Sequence, residues 1–533
     1  MNSIIGLLLG GLLGLMPVQE ETDWIDRGRA LLDANRGEEA QALFEAEQLR
    51  VPDAQAPRIW VARSWLPQGR INDTLDAVDA MLASGLSGPP IDYLFGMAWF
   101  YAAEAKRVQG DTSDSLRRNM QDCIAHLILA TEADPSRYRD ALRPLAKTAW
   151  LSQRLELANG AAEQAAKFYP SDARVWHLLG RIAHERFAII KATPGAESES
   201  LVLLKQAEAA YRNGLNAIGV PTDVIGEVLL AETWLQLGRL LATTSNEGAI
   251  EALSNAVSLK PARIDYRDLS AIISPDVFLD SLELGLQKFT TRVGRDLQTG
   301  AAYWWLGYIA FRNGFLDRAE RAFIAALASG AKDIESAWYY LGRLRFVRNE
   351  FNGAVAALRA SWERDPAVLF QSLDVDKPFN VAMLDTLANW CASQTRTVDA
   401  TIFFELSAEF SQSPEAWLKL AQFLTEQGNR LYQQNGAGDD LAERSHLTAL
   451  AAFNRALEID PKSPLLLINA ARHLHRVLVM DLTQARSLYR SAAREALRLL
   501  TDDTQAVEAS AGLRAIRTEA LRALKQLGEP KTE

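Results

Sequence analysis

Residues 301–330 read AAYWWLGYIAFRNGFLDRAERAFIAALASG, and the way this stretch repeats decides the fold. Tyr303 is followed by Leu306 and Gly307, then by Gly314, Ala319, Phe323 and Ala326. Thirty-five residues on, the same order returns as Trp338, Leu341, Gly342, Ala354 and Leu358, closed by Pro366. In both, a small residue falls 16 positions after the opening aromatic and a large apolar one 20 after it. Trp24, Gly28, Ala40, Phe44 and Pro52 repeat these offsets near the start of the chain. Further units open at Trp176, Leu179, Gly180 and at Trp234, Leu237, Gly238. Others close at Cys123, Leu127, Ala130, Pro135; at Ala249, Leu253, Ala256, Pro261; and at Ala449, Phe453, Ala456, Pro461. A fixed spacing recurring in several units marks a repeat protein.

Each position has a physical task. The opening Trp or Tyr fills the space between neighbouring hairpins. Gly and Ala let the two helices of a hairpin approach closely, and Phe or Leu on the second helix packs back across the pair. Pro stops that helix because it cannot donate the next backbone hydrogen bond. A lone hairpin cannot bury its apolar faces, so units must stack. The combined pattern, W-x-x-L-G, then A-x-x-x-F-x-x-A, then P, resembles the tetratricopeptide repeat. It is best matched at 303–366 and 24–52 and covers, with gaps, about 23–500. The units near 60–88, 138–170 and 378–414 are degenerate. The resemblance implies an all-α, right-handed solenoid of stacked helix-turn-helix repeats, whose first helices line a concave groove. The resulting division is a signal peptide over 1–19, repeats over 20–261, a degenerate connecting repeat over 262–302, repeats over 303–500, and a capping helix with a tail over 501–533.

Bulk properties narrow the function. A chain of 533 residues is too long for one compact core, as an elongated stack requires. The formal net charge of −10, with Lys and Arg spread along the chain, argues against nucleic acid as a general partner. The two cysteines, Cys123 and Cys391, sit inside apolar helical patterns and read as small buried hydrophobes. The run Ile4–Met16, IIGLLLGGLLGLM, suits the apolar region of a secretory signal and is too short to span a bilayer. Its flank MNS carries no Lys or Arg. The expectation is an exported, periplasmic or extracytoplasmic protein, the alternative a cytoplasmic one with an apolar first helix. No other segment reads as a membrane span.

Three units are about 15 residues too long, with polar insertions near 103–117, 187–201 and 430–445. Such an insertion is about two extra turns on each helix, or a loop of equal length. Residues 367–380, AVLFQSLDVDKPFN, show no clear periodicity. Catalytic signatures are missing: no HExxH, no zinc-type Cys/His spacing, no phosphate loop and no GxSxG elbow. The expectation is a chain without catalytic residues, cofactor or metal.

What remains is surface. The resemblance places groove residues two before and one, five, eight and nine after each opening aromatic. Those positions hold Trp304, Tyr308 and Phe311 in one unit and Tyr339, Arg343 and Phe346 in the next. Aromatic and Arg side chains make good interface anchors, so these six are the expected partner contacts. The alternative is that neighbouring units cover them. Arg29, Arg181, Arg239 and Arg343 each follow the unit's Gly. They could grip carboxylates with a planar fork or form ion pairs between repeats. The family's carboxylate clamp places Lys and Asn where this chain has Trp304 and Tyr308, or Tyr339 and Arg343, so a chaperone-tail clamp is not reproduced. The leading function is a scaffold or adaptor that binds a peptide or helix of another protein. The alternatives are a structural subunit of an envelope or secretion assembly, and an enzyme with an unrecognised groove site.

Overall fold

The computed structural model describes residues 17–34, 36–294, 296–332, 334–436, 439–478, 482–501 and 507–528. The signal-peptide reading of 1–19 therefore lies almost wholly outside the described residues. All regular structure among them is helical, and the chain divides into two compact units at Gly294–Arg295.

In the first unit, α1 (Pro17–Asp33) pairs with α2 (Gly37–Arg50), and α3 (Gln55–Trp65) is followed by α4 (Ile71–Ala83). Next come the hairpins α5 (Pro89–Val108) with α6 (Asp114–Ala133) and α7 (Leu142–Leu151) with α8 (Leu155–Phe168). They are followed by α9 (Ala173–Lys191) with α10 (Glu197–Ile218) and α11 (Val224–Leu241) with α12 (Asn246–Leu259). The short α13 (Tyr266–Ile272) leads into α14 (Pro275–Val293), which packs on α12. A chain of rings joins the first hairpins: Trp24, Phe44, Trp60, Tyr93 and Tyr138 follow one another at 5.0–5.8 Å between centroids.

The second unit holds α15 (Gly300–Arg312) with α16 (Leu316–Ser329), then α17 (Ser336–Val347) with α18 (Phe351–Arg364). A short α19 (Pro366–Asp374) precedes α20 (Lys377–Ser393) and α21 (Thr397–Ser411). The pair α22 (Pro414–Asn435) and α23 (Asp440–Ile459) is followed by α24 (Pro464–Arg472), which continues as a π-helical turn through Leu478. Then α25 (Leu482–Leu500) is covered by α26 (Val507–Gln526), which buries Ala520, Ala523 and Leu524 against Leu467, Ile468 and Tyr489.

The repeat spacing has a direct packing counterpart. A Cβ placed on Gly180 would stand 2.6 Å from two ring atoms of Tyr211, and one on Gly342 would stand 2.6 Å from Leu358 Cγ. Tyr211 and Leu358 are wholly buried, so neither can yield. The same approach joins Gly238 to Leu253 and Gly307 to Phe323. The glycine of the first helix is thus the seat for the large residue of the second.

The three insertions are extra helical turns rather than loops. Helices α5 and α6 have 20 residues each, α9 and α10 have 19 and 22, and α22 and α23 have 22 and 20. Helices α15 to α18 have only 12 to 14. The added turns bury Ala103, Phe187, Leu203 and Ala442, which explains why the helices continue instead of fraying. The aperiodic stretch after Asp365 is also helical. Pro366 occupies the first turn of α19, where its missing N–H costs nothing, and Asp365 Oδ1 accepts from the Val368 N–H at 3.1 Å.

Candidate binding surfaces on the first helices

The six expected anchors fall into different environments. Trp304 and Tyr308 on α15 are half-buried, and their rings stack at 5.2 Å with 10° between planes. Tyr308 and Phe311 meet Tyr340 edge-on at 5.4 and 6.0 Å, and Tyr340 in turn stacks on Phe323. Phe346, also half-buried, packs between Phe351 and Phe379. Tyr339 requires a correction: it is 0% exposed and cannot touch a partner. Its hydroxyl donates to Asn380 Oδ1 at 3.0 Å and accepts from Arg343 Nη1 at 3.1 Å. The cause is α19, which the sequence concealed; it carries the chain into α20, and Asn380 on α20 closes over Tyr339.

The recurring arginines mostly make pairs within the stack. Arg343 reaches Asp376 at 2.6 Å and lies 4.4 Å from the Phe379 ring centroid. Arg239 pairs with Asp268. Arg29 pairs with Asp26 at 3.2 Å and bonds to the Arg137 carbonyl, beside a buried network in which Tyr93 donates to Asp140 at 2.6 Å. Arg181 differs: its guanidinium lies 4.9 Å from the Trp150 ring centroid with no carboxylate in ion-pair range among the described residues.

Arg181 belongs to a pocket of about 590 Å³ in the first unit, built entirely from first helices of successive hairpins. Helix α7 supplies Arg143, Pro144, Lys147, Trp150 and Leu151. Helix α9 supplies Arg174, His177, Leu178 and Arg181, while α5 gives Phe100 and Arg107 and α11 gives Leu229 and Glu232. Five cations therefore face one carboxylate. Arg107 and Lys147 share Glu104, at 3.1 and 2.6 Å. Burial pushes the Glu104 carboxyl up, but the hydrogen bonds and charges of these two partners outweigh it and hold the group below its usual range. Arg174 pairs with Asp172 at 2.9 Å. Arg143, like Arg181, has no ion-pair partner among the described residues, and burial together with the charge of Arg174 lowers its pKa.

His177 is set precisely in this wall. Thr233 Oγ1 donates to the Leu229 carbonyl at 2.7 Å, so its contact of 2.9 Å with His177 Nδ1 assigns the imidazole proton to Nδ1. Burial, then the charge of Arg181, lowers the His177 pKa to about 4. His184, about two turns further along the same face of α9, is lowered to about 4 by burial foremost, then by the charges of Arg181 and Arg239.

Sequence reasoning had the means to find part of this pocket. The groove offsets counted from Trp176 give Arg174, His177 and Arg181, and counted from Trp234 they give Glu232. Arg143, Lys147 and Trp150 lie in the degenerate unit 138–170, where no aromatic sets the register. Cys123 and Cys391 are buried free thiols, and burial pushes them up to about 12 and about 11. Among the described residues no three His, Cys, Asp or Glu side chains converge as metal ligands, and no helix is long and apolar enough to cross a membrane.

No family model matches the chain, and no curated protein does. Solved structures similar to it include yeast Tom70, at 13% identity and a TM-score of 0.22, with 95% of this chain and 96% of that one covered. A second is a Rap protein complexed with competence and sporulation factor, at 14% identity and 0.28, with 76% and 100% covered. A third is the P58(IPK) TPR domain, at 13% and 0.18, with 82% and 99% covered. With TM-scores this low the likenesses carry no weight, and the assignment of an all-α stack of tetratricopeptide-like hairpins rests on the packing described above.

Proposed function

We propose that this chain is a non-catalytic scaffold that binds a segment of another protein on the surface formed by its first helices. One observation carries the reading: a pocket of about 590 Å³ assembled from α5, α7, α9 and α11, with aromatic and apolar side chains beside two guanidinium groups, Arg143 and Arg181, that have no ion-pair partner among the described residues. Exposed aromatic area next to converging polar groups is the usual composition of a binding site. The half-buried Trp304, Tyr308, Phe311 and Phe346, with Arg343, form a second candidate contact in the other unit. Selection of a peptide library on the full chain tests the proposal. Enriched peptides should lose about tenfold or more in affinity on Phe100→Ala and Leu229→Ala variants that keep the wild-type melting temperature. Absence of enrichment, or binding indifferent to both substitutions, would refute it.

The apolar run Ile4–Met16 supports export to an extracytoplasmic site with removal of about the first 19 residues. N-terminal sequencing of the protein from its native host checks this; an intact Met1 or Asn2 in a cytosolic fraction would end the idea.

A further inference from the structure

We infer that the pocket of the first unit is specific for an acidic protein segment, one that presents carboxylates on either side of a bulky apolar side chain. The inference rests on the proposed binding role of this surface and adds the chemistry of the partner. Its basis is charge. In a chain of net charge −10, five cationic side chains converge on one cavity with a single carboxylate, Glu232, in its lining. Three of the five are already engaged by Glu104 and Asp172. Among the described residues, Arg143 and Arg181 have no carboxylate within ion-pair distance. Burial and the charge of Arg174 depress the Arg143 pKa even though Asp172 and Asp33 act against them, so a carboxylate brought into direct contact would stabilise its charged form further. The Arg181 guanidinium lies over the Trp150 ring, 4.9 Å from its centroid, and lines the cavity. The same cavity is lined by Phe100, Leu178 and Leu229, which fit an apolar side chain.

A nucleic acid suits the site less well. Its phosphates form a continuous track, whereas these cations are confined to one cavity on an acidic chain that repels a long polyanion. A short acidic segment meets the two unpaired forks without extending across the rest of the surface.

The test uses the full chain and a fluorescein-labelled nonapeptide of alternating Glu-Glu and Phe, read by fluorescence anisotropy. The same peptide with Gln for Glu and a labelled nine-nucleotide single strand are the comparison probes. The acidic peptide should bind, weaken steeply with salt, and bind about tenfold or more tighter than its Gln counterpart. Arg143→Gln with Arg181→Gln should remove about tenfold of that affinity at unchanged melting temperature. Glu232→Gln removes the lining carboxylate, demands nothing of the core, and should tighten binding. Equal binding of the Gln peptide, or a Glu232→Gln variant with unchanged affinity, would overturn the acidic specificity and leave the scaffold reading standing. Tighter binding of the oligonucleotide would overturn it in favour of a phosphate backbone. Failure of every probe would overturn the acidic assignment, while the library selection would still decide the scaffold role separately.

Discussion

Acidification from pH 7.5 to 5 should weaken the first unit through two histidines. His177 and His184 both have folded pKa values near 4, against an unfolded value of 6.5. Each is a base whose folded pKa is depressed, so the unfolded chain binds more protons between pH 6.5 and 4. Stability contributed by the neutral rings is complete above pH 6.5 and is lost as the pH falls toward 4. At pH 5 the unfolded imidazole is almost wholly protonated and the folded one almost wholly neutral, a difference of about 1.5 pH units or about 2 kcal/mol for each ring. Both rings keep some contact with solvent, so about 1–2 kcal/mol each is the working figure. Glu104 and Asp172, held below their usual range by their cationic partners, act in the same sense, since the stability of their charged forms is also lost as the pH falls. The assay is urea unfolding at pH 7.5 and pH 5, followed through the tryptophans, for the wild type and for His177→Gln with His184→Gln. The double variant should lose most of the pH dependence of the first unit. An unchanged slope, or a wild type that gains stability on acidification, would refute the reasoning.

Packing supports further expectations. Gly180→Val drives side-chain atoms into the immobile Tyr211 ring, and chemical denaturation should show a loss of about 1–3 kcal/mol or more. Gly160→Ala, within α8 and with nothing inside 4 Å of the new Cβ, should instead gain up to about 1 kcal/mol in the same measurement. Thr395 holds a φ of 59° in the turn before α21, so Thr395→Gly should raise the melting temperature by relieving about 1 kcal/mol of backbone strain. Tyr339→Phe removes the donor to buried Asn380 Oδ1 and should cost about 1–3 kcal/mol, whereas Tyr308→Phe, half-buried on the surface of α15, should cost well under 1 kcal/mol. Equal losses for the two tyrosines by calorimetry would show that the buried and surface assignments are wrong.

What was legible in the sequence is what a single hairpin determines. The offset from Gly to the large apolar residue is a contact within one unit, so it survives as Gly307 against Phe323 and Gly342 against Leu358. The length of the insertions was legible too, but their form was not. Polar residues near 103–117 give the same composition whether they make a loop or the outer faces of two helices, and only the burial of Ala103 and Asn119 distinguishes them. Tyr339 was misjudged because its cover comes from Asn380, at the end of an aperiodic stretch divided between the nine-residue α19 and the first turn of α20, too little of either to show a period. The basic pocket was the least legible feature. Its walls come from four hairpins, and Phe100 lies more than 120 residues before Leu229 and Glu232. In the sequence only Arg181 stood out among its cations, as the residue after a repeat glycine.

The position of that pocket follows from unequal helix lengths. Helix α7 has 10 residues, while its neighbours in the stack, α5 and α9, have 20 and 19. At 1.5 Å per residue, two first helices of about 30 Å flank one of about 15 Å. Arg107, on the last turn of α5, reaches the cavity only because α5 carries its extra turns, and Trp150 and Leu151 stand where α7 stops short. A polar insertion thus raises one wall of the cavity. The Arg after the glycine follows the same geometry. Beside Arg239 and Arg343 the succeeding segments deliver Asp268 and Asp376, and the charge is consumed inside the stack. Beside Arg181 the preceding helix ends in Trp150, which offers a ring face and no carboxylate. One repeated residue therefore does two kinds of work, according to whether the neighbouring segment presents it a carboxylate or a ring.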